Sequence, residues 1–438
     1  MHRELLNELK IWKSKKNRLP LILKGARQVG KTWLLKKFGE ECFKDVCYIN
    51  FEKQSFIKEI FQGSISPMQI IETISVFHGK PILPDKTLLI FDEIQEVPRA
   101  LTALKYFAEE TPDYFICCAG SFLGIALHKD TSFPVGKVDF LTLQPLSFKE
   151  FLLANNEKTL IDFIITKGLT DDLNVFSEKL TVYLKQYFIV GGMPAAVADW
   201  LDTRDFYSVE KIQHNILTTY DNDFSKHAPS TMIAKLRHVW HNLPRQLAKE
   251  NRKFVYGLVR EGARAREYED TLMWLTDAGL IRRVYQIEKP ALPLKFYSDN
   301  KAFKIYLIDV GLLRVMSELS PKTILEGSRI FEEFKGVLSE QFVLQELQNI
   351  EPIQACYYWT SDFKAEVDFL FSMNNEAYPL EVKSGKSVYS KSLNVFMEKY
   401  NPALAIRSSL LPLKKDGNIL NIPLYALFNI DKYLLNPT

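Results

Sequence analysis

Gly25-Ala26-Arg27-Gln28-Val29-Gly30-Lys31-Thr32 is the stretch that decides the fold class. It fills every fixed position of GxxxxGK[ST] and lies between the apolar run Leu19-Pro20-Leu21-Ile22-Leu23 and a segment, 31–38, with helical spacing. The glycines let the backbone curl so that successive N–H groups point at one phosphate, and the start of the following helix adds its partial positive charge. Lys31 is placed to reach the terminal phosphates and Thr32 to ligate Mg²⁺, so ATP and Mg²⁺ are the expected cofactors.

Working outward, residues 46–51, 88–91 and 114–118 read as further strands, with helical spacing at 67–77 and 99–110 between them. That alternation predicts a parallel, three-layer α/β domain. Leu88-Leu89-Ile90-Phe91-Asp92-Glu93 is an apolar strand ending in two acids. Asp92 is placed to hold the Mg²⁺ shell and Glu93 to polarise the attacking water, which makes Glu93 and Lys31 the catalytic candidates. Acids end many strands, and it is the phosphate loop upstream that favours the chemical reading. Ser121, after Cys118-Ala119-Gly120, is either a γ-phosphate sensor or part of an ordinary Gly-Ser turn. Arg99, Lys137 and Arg204 are all available as an arginine finger or its substitute, and nothing in the sequence selects one.

The chain has 438 residues, long enough for two to four domains, with 47% hydrophobic and 25% charged residues, a globular mix. Lys plus Arg number 56 against 53 Asp plus Glu, so net charge (+3) argues neither for nor against nucleic acid, and any basic surface must be local. The five cysteines (Cys42, Cys47, Cys117, Cys118, Cys356) have no CxxC spacing, and the seven histidines no metal spacing. The charged start Met1-His2-Arg3-Glu4 does not resemble a signal peptide, and no apolar run reaches the length of a membrane span. The expectation is a soluble, cytoplasmic protein without a membrane partner.

The phosphate loop, Phe91-Asp92-Glu93-Ile94-Gln95, Gly120-Ser121 and Leu143-Gln144-Pro145-Leu146-Ser147-Phe148-Lys149-Glu150-Phe151 together resemble prokaryotic AAA-family ATPases fused to a C-terminal domain of the DUF4143 group. Gly191-Gly192-Met193-Pro194, Asp309-Val310-Gly311-Leu312, Glu366-Val367-Asp368-Phe369-Leu370 and Glu381-Val382-Lys383 resemble the later signatures of that group. The resemblance spans nearly the whole chain and implies sites completed in trans, hence a homo-oligomer. One departure is Gly136-Lys137-Val138 where Gly-Arg-Val is expected, and Lys has no bidentate fork for an arginine-specific role.

The expected organisation is an AAA-type P-loop ATPase domain over 1–155, a helical segment over 156–240, a winged-helix-like domain over 241–320 and a restriction-endonuclease-like α/β domain over 321–438. In the third of these, Arg245, Lys249, Arg252, Lys253, Arg260, Arg264 and Arg266 make a basic stretch suited to a phosphate backbone. Glu267, Glu269 and Asp270 oppose it, and a domain-linking role competes. In the last, Asp368 followed by Glu381-Val382-Lys383 has the D…ExK order of PD-(D/E)xK nucleases, with Glu340 on the helix before. Two carboxylates on adjacent strands converge on Mg²⁺ and the lysine orients the activated water. Glu366 competes as an alternative ligand, and acids and ExK also occur on many solvated strands. The functional expectation is an Mg²⁺-dependent ATPase coupled to a nuclease-like domain in DNA processing or defence. The alternative is a nucleotide-controlled switch whose inactive C-terminal module binds nucleic acid or a protein.

Overall fold

The computed structural model describes the chain apart from residues 55, 64, 122–135, 168–174, 249–252, 328, 354, 362–364, 386–389 and 436–438. It forms two compact units, one of residues 2–144 and 274–280, the other of residues 1, 145–273 and 281–438.

In the first unit, β1 (Leu21–Lys24), β2 (Asp45–Asn50), β3 (Thr87–Asp92), β4 (Phe115–Ala119) and β5 (Asp139–Thr142) form a sheet of order β2-β3-β4-β1-β5 with every pairing parallel. β3 and β4 are buried at every position, because helices cover both faces, and so their sequences run apolar without alternation. Leu89 and Phe91 pack in one cluster with Ile70, Ile74, Leu101 and Leu104, from helices that each open with proline at the first turn, Pro67–His78 and Pro98–Glu110. On the other face the helix Lys31–Cys42 meets Leu88 and Val46 at Gly39. From β1 the chain crosses to the far edge, returns through β3 and β4, then passes over β1 to β5. The order reverses beside β1, and ligands of open α/β sheets bind outside the strand C-termini at such a point.

In the second unit, helices between Phe148–Ala154 and Ser230–Leu247 precede an eight-stranded mixed sheet. Its strands are β6 (Ile281–Ile287), β7 (Ser298–Leu307), β8 (Cys356–Thr360), β9 (Glu366–Met373), β10 (Glu376–Val382), β11 (Ala405–Ser409), β12 (Lys414–Asp416) and β13 (Ile419–Pro423), in the order β12-β13-β11-β10-β9-β8-β6-β7. β6 pairs in parallel with β8, Tyr285 with Tyr357 and Ile287 with Trp359, so the expected division at 320/321 runs through one continuous sheet. Pro321 opens a short helix, which reads locally as a linker, while the pairing that overrides it joins segments distant in sequence. Residues 145–155 also lie in this unit: the helix Phe148–Ala154 is closed by a Ser147/Glu150 capping box, and the Phe148 N–H donates to Glu346 at 2.8 Å.

Gly191-Gly192 and Asp309-Val310-Gly311 meet in a buried polar junction. The Gly192 N–H donates to Asp309 Oδ2 at 2.6 Å, and Gly192 O accepts from the Leu146 N–H at 2.7 Å. Gln345 donates to both Asp309 and the Tyr187 hydroxyl, and Gln213 donates to the carbonyls of Ile189 and Val190. Burial raises the Asp309 carboxyl while the hydrogen bonds from Gly192 and Leu312 lower it. A Cβ on Gly192 would lie 2.2 Å from the Leu146 carbonyl oxygen, and one on Gly191 2.2 Å from Asp309 Oδ1. These signatures therefore serve close packing. Gly192→Ala is expected to lose about 3 kcal/mol, since backbone must shift to admit the methyl group. Gly257→Ala, where nothing lies within 4 Å, should stay within about 1 kcal/mol, and denaturant titration of both variants checks this.

Candidate functional site

The loop after β1 curls through two left-handed residues, Gln28 (φ 67°) and Gly30 (φ 95°). Gly25 is required by close approach, because a Cβ there would meet the Leu143 carbonyl oxygen at 2.4 Å. Arg3, only 5% exposed, donates to the Val29 carbonyl at 3.0 Å and to that of Gln144, which fixes the loop from behind. Gly279 (φ 75°) lies against Ala26, a Cβ there falling 3.2 Å from the Ala26 nitrogen, so the returning segment 274–280 braces the same loop. Neither Arg3 nor Gly279 carries a local sequence signal.

Lys31 Nζ donates to the carbonyls of Gly25 and Ala26 at 2.9 and 2.7 Å. Burial pushes its pKa down to about 8, against the opposing pull of Glu93 and Asp92. Thr32 Oγ1 donates to Asp92 Oδ2 at 2.9 Å, which joins the two residues expected to hold Mg²⁺. Tyr48 on β2, which the sequence reading passed over, donates its hydroxyl to the same oxygen at 2.7 Å and accepts from Asn50. That leaves Asp92 Oδ1 outside these bonds, so a hydroxyl and an oriented carboxylate stand where an oxygen-preferring cation would be held, and the donor set fits Mg²⁺.

Glu93 and Ser121, expected as separate parts, are bonded to each other. The Ser121 N–H and hydroxyl donate to Glu93 at 3.0 and 3.1 Å, and Gln95 adds a third bond at 2.6 Å. Glu93 is itself left-handed (φ 53°), the sharp step that turns its side chain out of the strand line. The three candidate finger residues have partners within their own units. Arg99 donates to the Gln62 carbonyl, Lys137 pairs with Glu109 at 2.9 Å and Arg204 donates to Asn155.

On the second sheet, the β9–β10 pairing ends at Leu380 opposite Phe369, next to Glu381 and Asp368, and Asp368 Oδ2 accepts from the Val382 N–H at 2.8 Å. Lys383 Nζ donates to Glu381 Oε1 at 2.7 Å, while Glu381 Oε2 is buried without a hydrogen-bond partner. Burial and the Asp368 charge push Glu381 up to about 7, Lys383 pulling the other way. The β8–β9 register shifts here: Tyr357 faces Leu370 and Trp359 faces Val367, so Asp368 and Phe369 together oppose Tyr358. That bulge re-aims Asp368 at the neighbouring strand. β11 sets Arg407 in register with Glu381. Two carboxylates, one with an orphaned buried oxygen, fit a divalent cation.

Glu340 and Glu366 are held elsewhere. Glu340 accepts from the Tyr306 hydroxyl at 3.2 Å, and Glu366 pairs with the fully buried Lys304. The helix Arg329–Leu347 spends its polar residues on packing: Gln341 bonds both N–H and C=O of Leu307, and Gln345 accepts from the Val310 N–H. Among the described residues no group of three or more His, Cys, Asp or Glu gathers for a metal.

The model of an AAA domain matches residues 17–152, the whole phosphate loop and both acids included. A model of a domain of unknown function, DUF4143, matches residues 335–427, and another, DUF8612, residues 181–323. The chain carries an AAA domain and a C-terminal DUF4143 domain. The junction glycines and Asp309 fall within the DUF8612 match, and Asp368, Glu381 and Lys383 within DUF4143. No curated protein matches the chain. Similar solved structures include a Walker-type ATPase of Pyrococcus abyssi, 16% identical over 72% of this chain and 95% of that one, with a TM-score of 0.43. The RuvB Holliday junction branch migration motor of Thermotoga maritima is 16% identical over 65% and 90% (TM-score 0.31). AMPPCP-bound DnaA of Aquifex aeolicus is 13% identical over 63% and 90% (TM-score 0.29). Among the described residues no helix is long and apolar enough to cross a membrane.

Proposed function

We propose that the AAA domain binds and hydrolyses ATP with Mg²⁺ and that it acts with a nuclease-like DUF4143 domain on nucleic acid. The observation that carries the first part is the Thr32–Asp92 bond at the C-terminal ends of β1 and β3, beside a lysine curled onto its own loop. Mg²⁺ supplies charge neutralisation on the phosphate oxygens. Lys31 exchanges its bonds to loop carbonyls for phosphate oxygens, and the loop N–H groups, fixed by Arg3 and Gly279, receive the remaining charge. Glu93 orients the water and takes its proton, and Ser121, bonded to it twice, links γ-phosphate sensing to release of that carboxylate. ATP binding and phosphate release by the native chain and Lys31→Ala test this. Equal binding and turnover in the two would overturn it.

Lys31 gives the binding step a pH dependence. Phosphate stabilises the charged amine, so binding raises its pKa from about 8, and the neutral fraction of the amine takes up a proton from the buffer. The ATP dissociation constant is expected to rise as pH passes 8, by about tenfold at pH 9. Calorimetry in buffers of different ionisation heat reads the proton uptake directly.

The nuclease-like reading is supported by the order helix Arg329–Leu347, antiparallel β8-β9-β10, helix Lys391–Tyr400, then β11 parallel to β10, with Asp368 and Glu381 on the central pair. A metal held there supplies an activated water. Asp368 and Glu381 position it, and Lys383 balances the charge. The switch reading keeps one observation of its own: Glu340 is committed to Tyr306, leaving two carboxylates. A winged-helix-like middle is supported by the order Ser230–Leu247, Tyr256–Val259, Ala265–Asp277 and the β6–β7 hairpin, with Lys253 bridged to Lys304. Arg245, Lys253, Arg260, Arg264 and Arg266 there are exposed, while Lys249 and Arg252 lie outside the described residues. Homo-oligomerisation, with a finger supplied in trans, belongs to the same proposal.

A further inference from the structure

Asp92 Oδ2 is held by two hydroxyls at once, and only one of them belongs to the phosphate-loop motif. Thr32 Oγ1 donates to it at 2.9 Å from the start of the helix Lys31–Cys42, and the Tyr48 hydroxyl donates at 2.7 Å from β2. Strand pairing puts Tyr48 there: Asn50 lies in register with Asp92, and Tyr48, two residues earlier, projects from the same face. Asn50 donates its side-chain amide to the Tyr48 oxygen at 3.3 Å, which leaves the phenolic proton to point at the carboxylate. Lys36, one turn beyond Thr32, lies over the ring with Nζ 3.8 Å from its centroid.

A carboxylate oxygen offers about two lone-pair positions. The two hydroxyl donors fill both on Oδ2, so Asp92, itself only 4% exposed, is left with Oδ1 to offer a cation. That difference bears on which cation fits. Mg²⁺ demands short octahedral distances and takes few protein oxygens while keeping waters, whereas Ca²⁺ accepts carboxylates through one or both oxygens at longer, more variable distances. A carboxylate clamped to one free oxygen therefore suits the smaller ion, and one free to turn and offer both suits the larger. Hydrogen bonds that orient a ligating group commonly set metal affinity by about 10–100-fold.

We propose that Tyr48 is the positioning residue that holds Asp92 in its one-oxygen form and so makes the nucleotide site select Mg²⁺ over Ca²⁺. The inference rests on the reading of Thr32 and Asp92 as the cation site of an ATP-binding loop. The test is Tyr48→Phe, which keeps the ring under Lys36 and deletes only the hydroxyl, with melting to check its fold. The full chain is titrated with a fluorescent, non-hydrolysable ATP analogue in EDTA, in Mg²⁺ and in Ca²⁺. Native protein is expected to bind more tightly with Mg²⁺ than with Ca²⁺. In the variant the dissociation constant should stay within about twofold in EDTA, rise about tenfold in Mg²⁺ and rise less than about threefold in Ca²⁺, so the preference narrows. An unchanged value in Mg²⁺, an equal loss in Mg²⁺ and Ca²⁺, or an equal loss in EDTA would each overturn the proposal. Asp92→Asn separates this outcome from failure of the underlying reading. If it abolishes the Mg²⁺ effect while Tyr48→Phe retains it in full, only the role of Tyr48 falls; if it leaves the Mg²⁺ effect intact, the cation-site reading falls and the proposal with it.

Discussion

Glu93→Gln is expected to keep ATP binding while hydrolysis falls about 10²–10³-fold. The amide is nearly isosteric: its oxygen can accept from the Ser121 N–H in place of Oε2, and its NH2 can donate to the Ser121 hydroxyl in place of Oε1, so the turn that places it survives. What it loses is the capacity to accept a proton from water. Phosphate loop and Thr32–Asp92 pair are untouched, so the nucleotide dissociation constant should move by less than about threefold. Single-turnover phosphate release alongside equilibrium nucleotide titration separates the two quantities. A variant that hydrolyses at the native rate would remove Glu93 from the chemistry, and one that no longer binds ATP would make it a structural residue.

Asp368→Asn is expected to abolish metal-dependent strand cleavage, by about 10³-fold or more, in an assay with Mg²⁺ or Mn²⁺. The asparagine oxygen can keep the bond from the Val382 N–H, so the bulge and the hairpin should persist. Removing the like charge lets the Glu381 pKa fall from about 7, which gives a second readout. In the native chain Glu381 holds its proton below that value, a cation needs the ionised form, and cleavage should therefore rise as pH passes through 7. In the variant the onset of metal binding should shift to lower pH. Native protein that cuts no substrate under any of these conditions would favour the switch, with the DUF4143 domain as a binding module.

The phosphate loop and the paired acids were legible because their chemistry is local. Gly25 to Thr32 are contiguous, and Asp92-Glu93 end an apolar strand whose burial on both faces shows in its composition. Asp368, Glu381 and Lys383 were legible for a similar reason, since one hairpin turn is enough to bring them together. Where pairing is distant, local signals failed. Nothing near Pro321 announces that β6 lies beside β8, although one family match ends at 323 and the next begins at 335, close to the expected division at 320/321. Glu340 looked like a third ligand because helix position does not say which neighbour its carboxylate meets, and that neighbour is Tyr306.

Sequence by itself thus determined the α/β class of the first unit and singled out the phosphate-loop motif and two candidate carboxylate pairs, because each rests on backbone conformations and spacings set within a few residues or one hairpin. Tertiary structure alone decided that Ser121 grips Glu93, that Tyr48 steadies Asp92, that Arg3 and Gly279 brace the loop, and that the glycine signatures serve a buried junction with Asp309. Each of these is a single hydrogen bond or a close approach between segments far apart in the chain. No periodicity encodes such a contact, and only the closing of the sheets and helices on one another sets its distance.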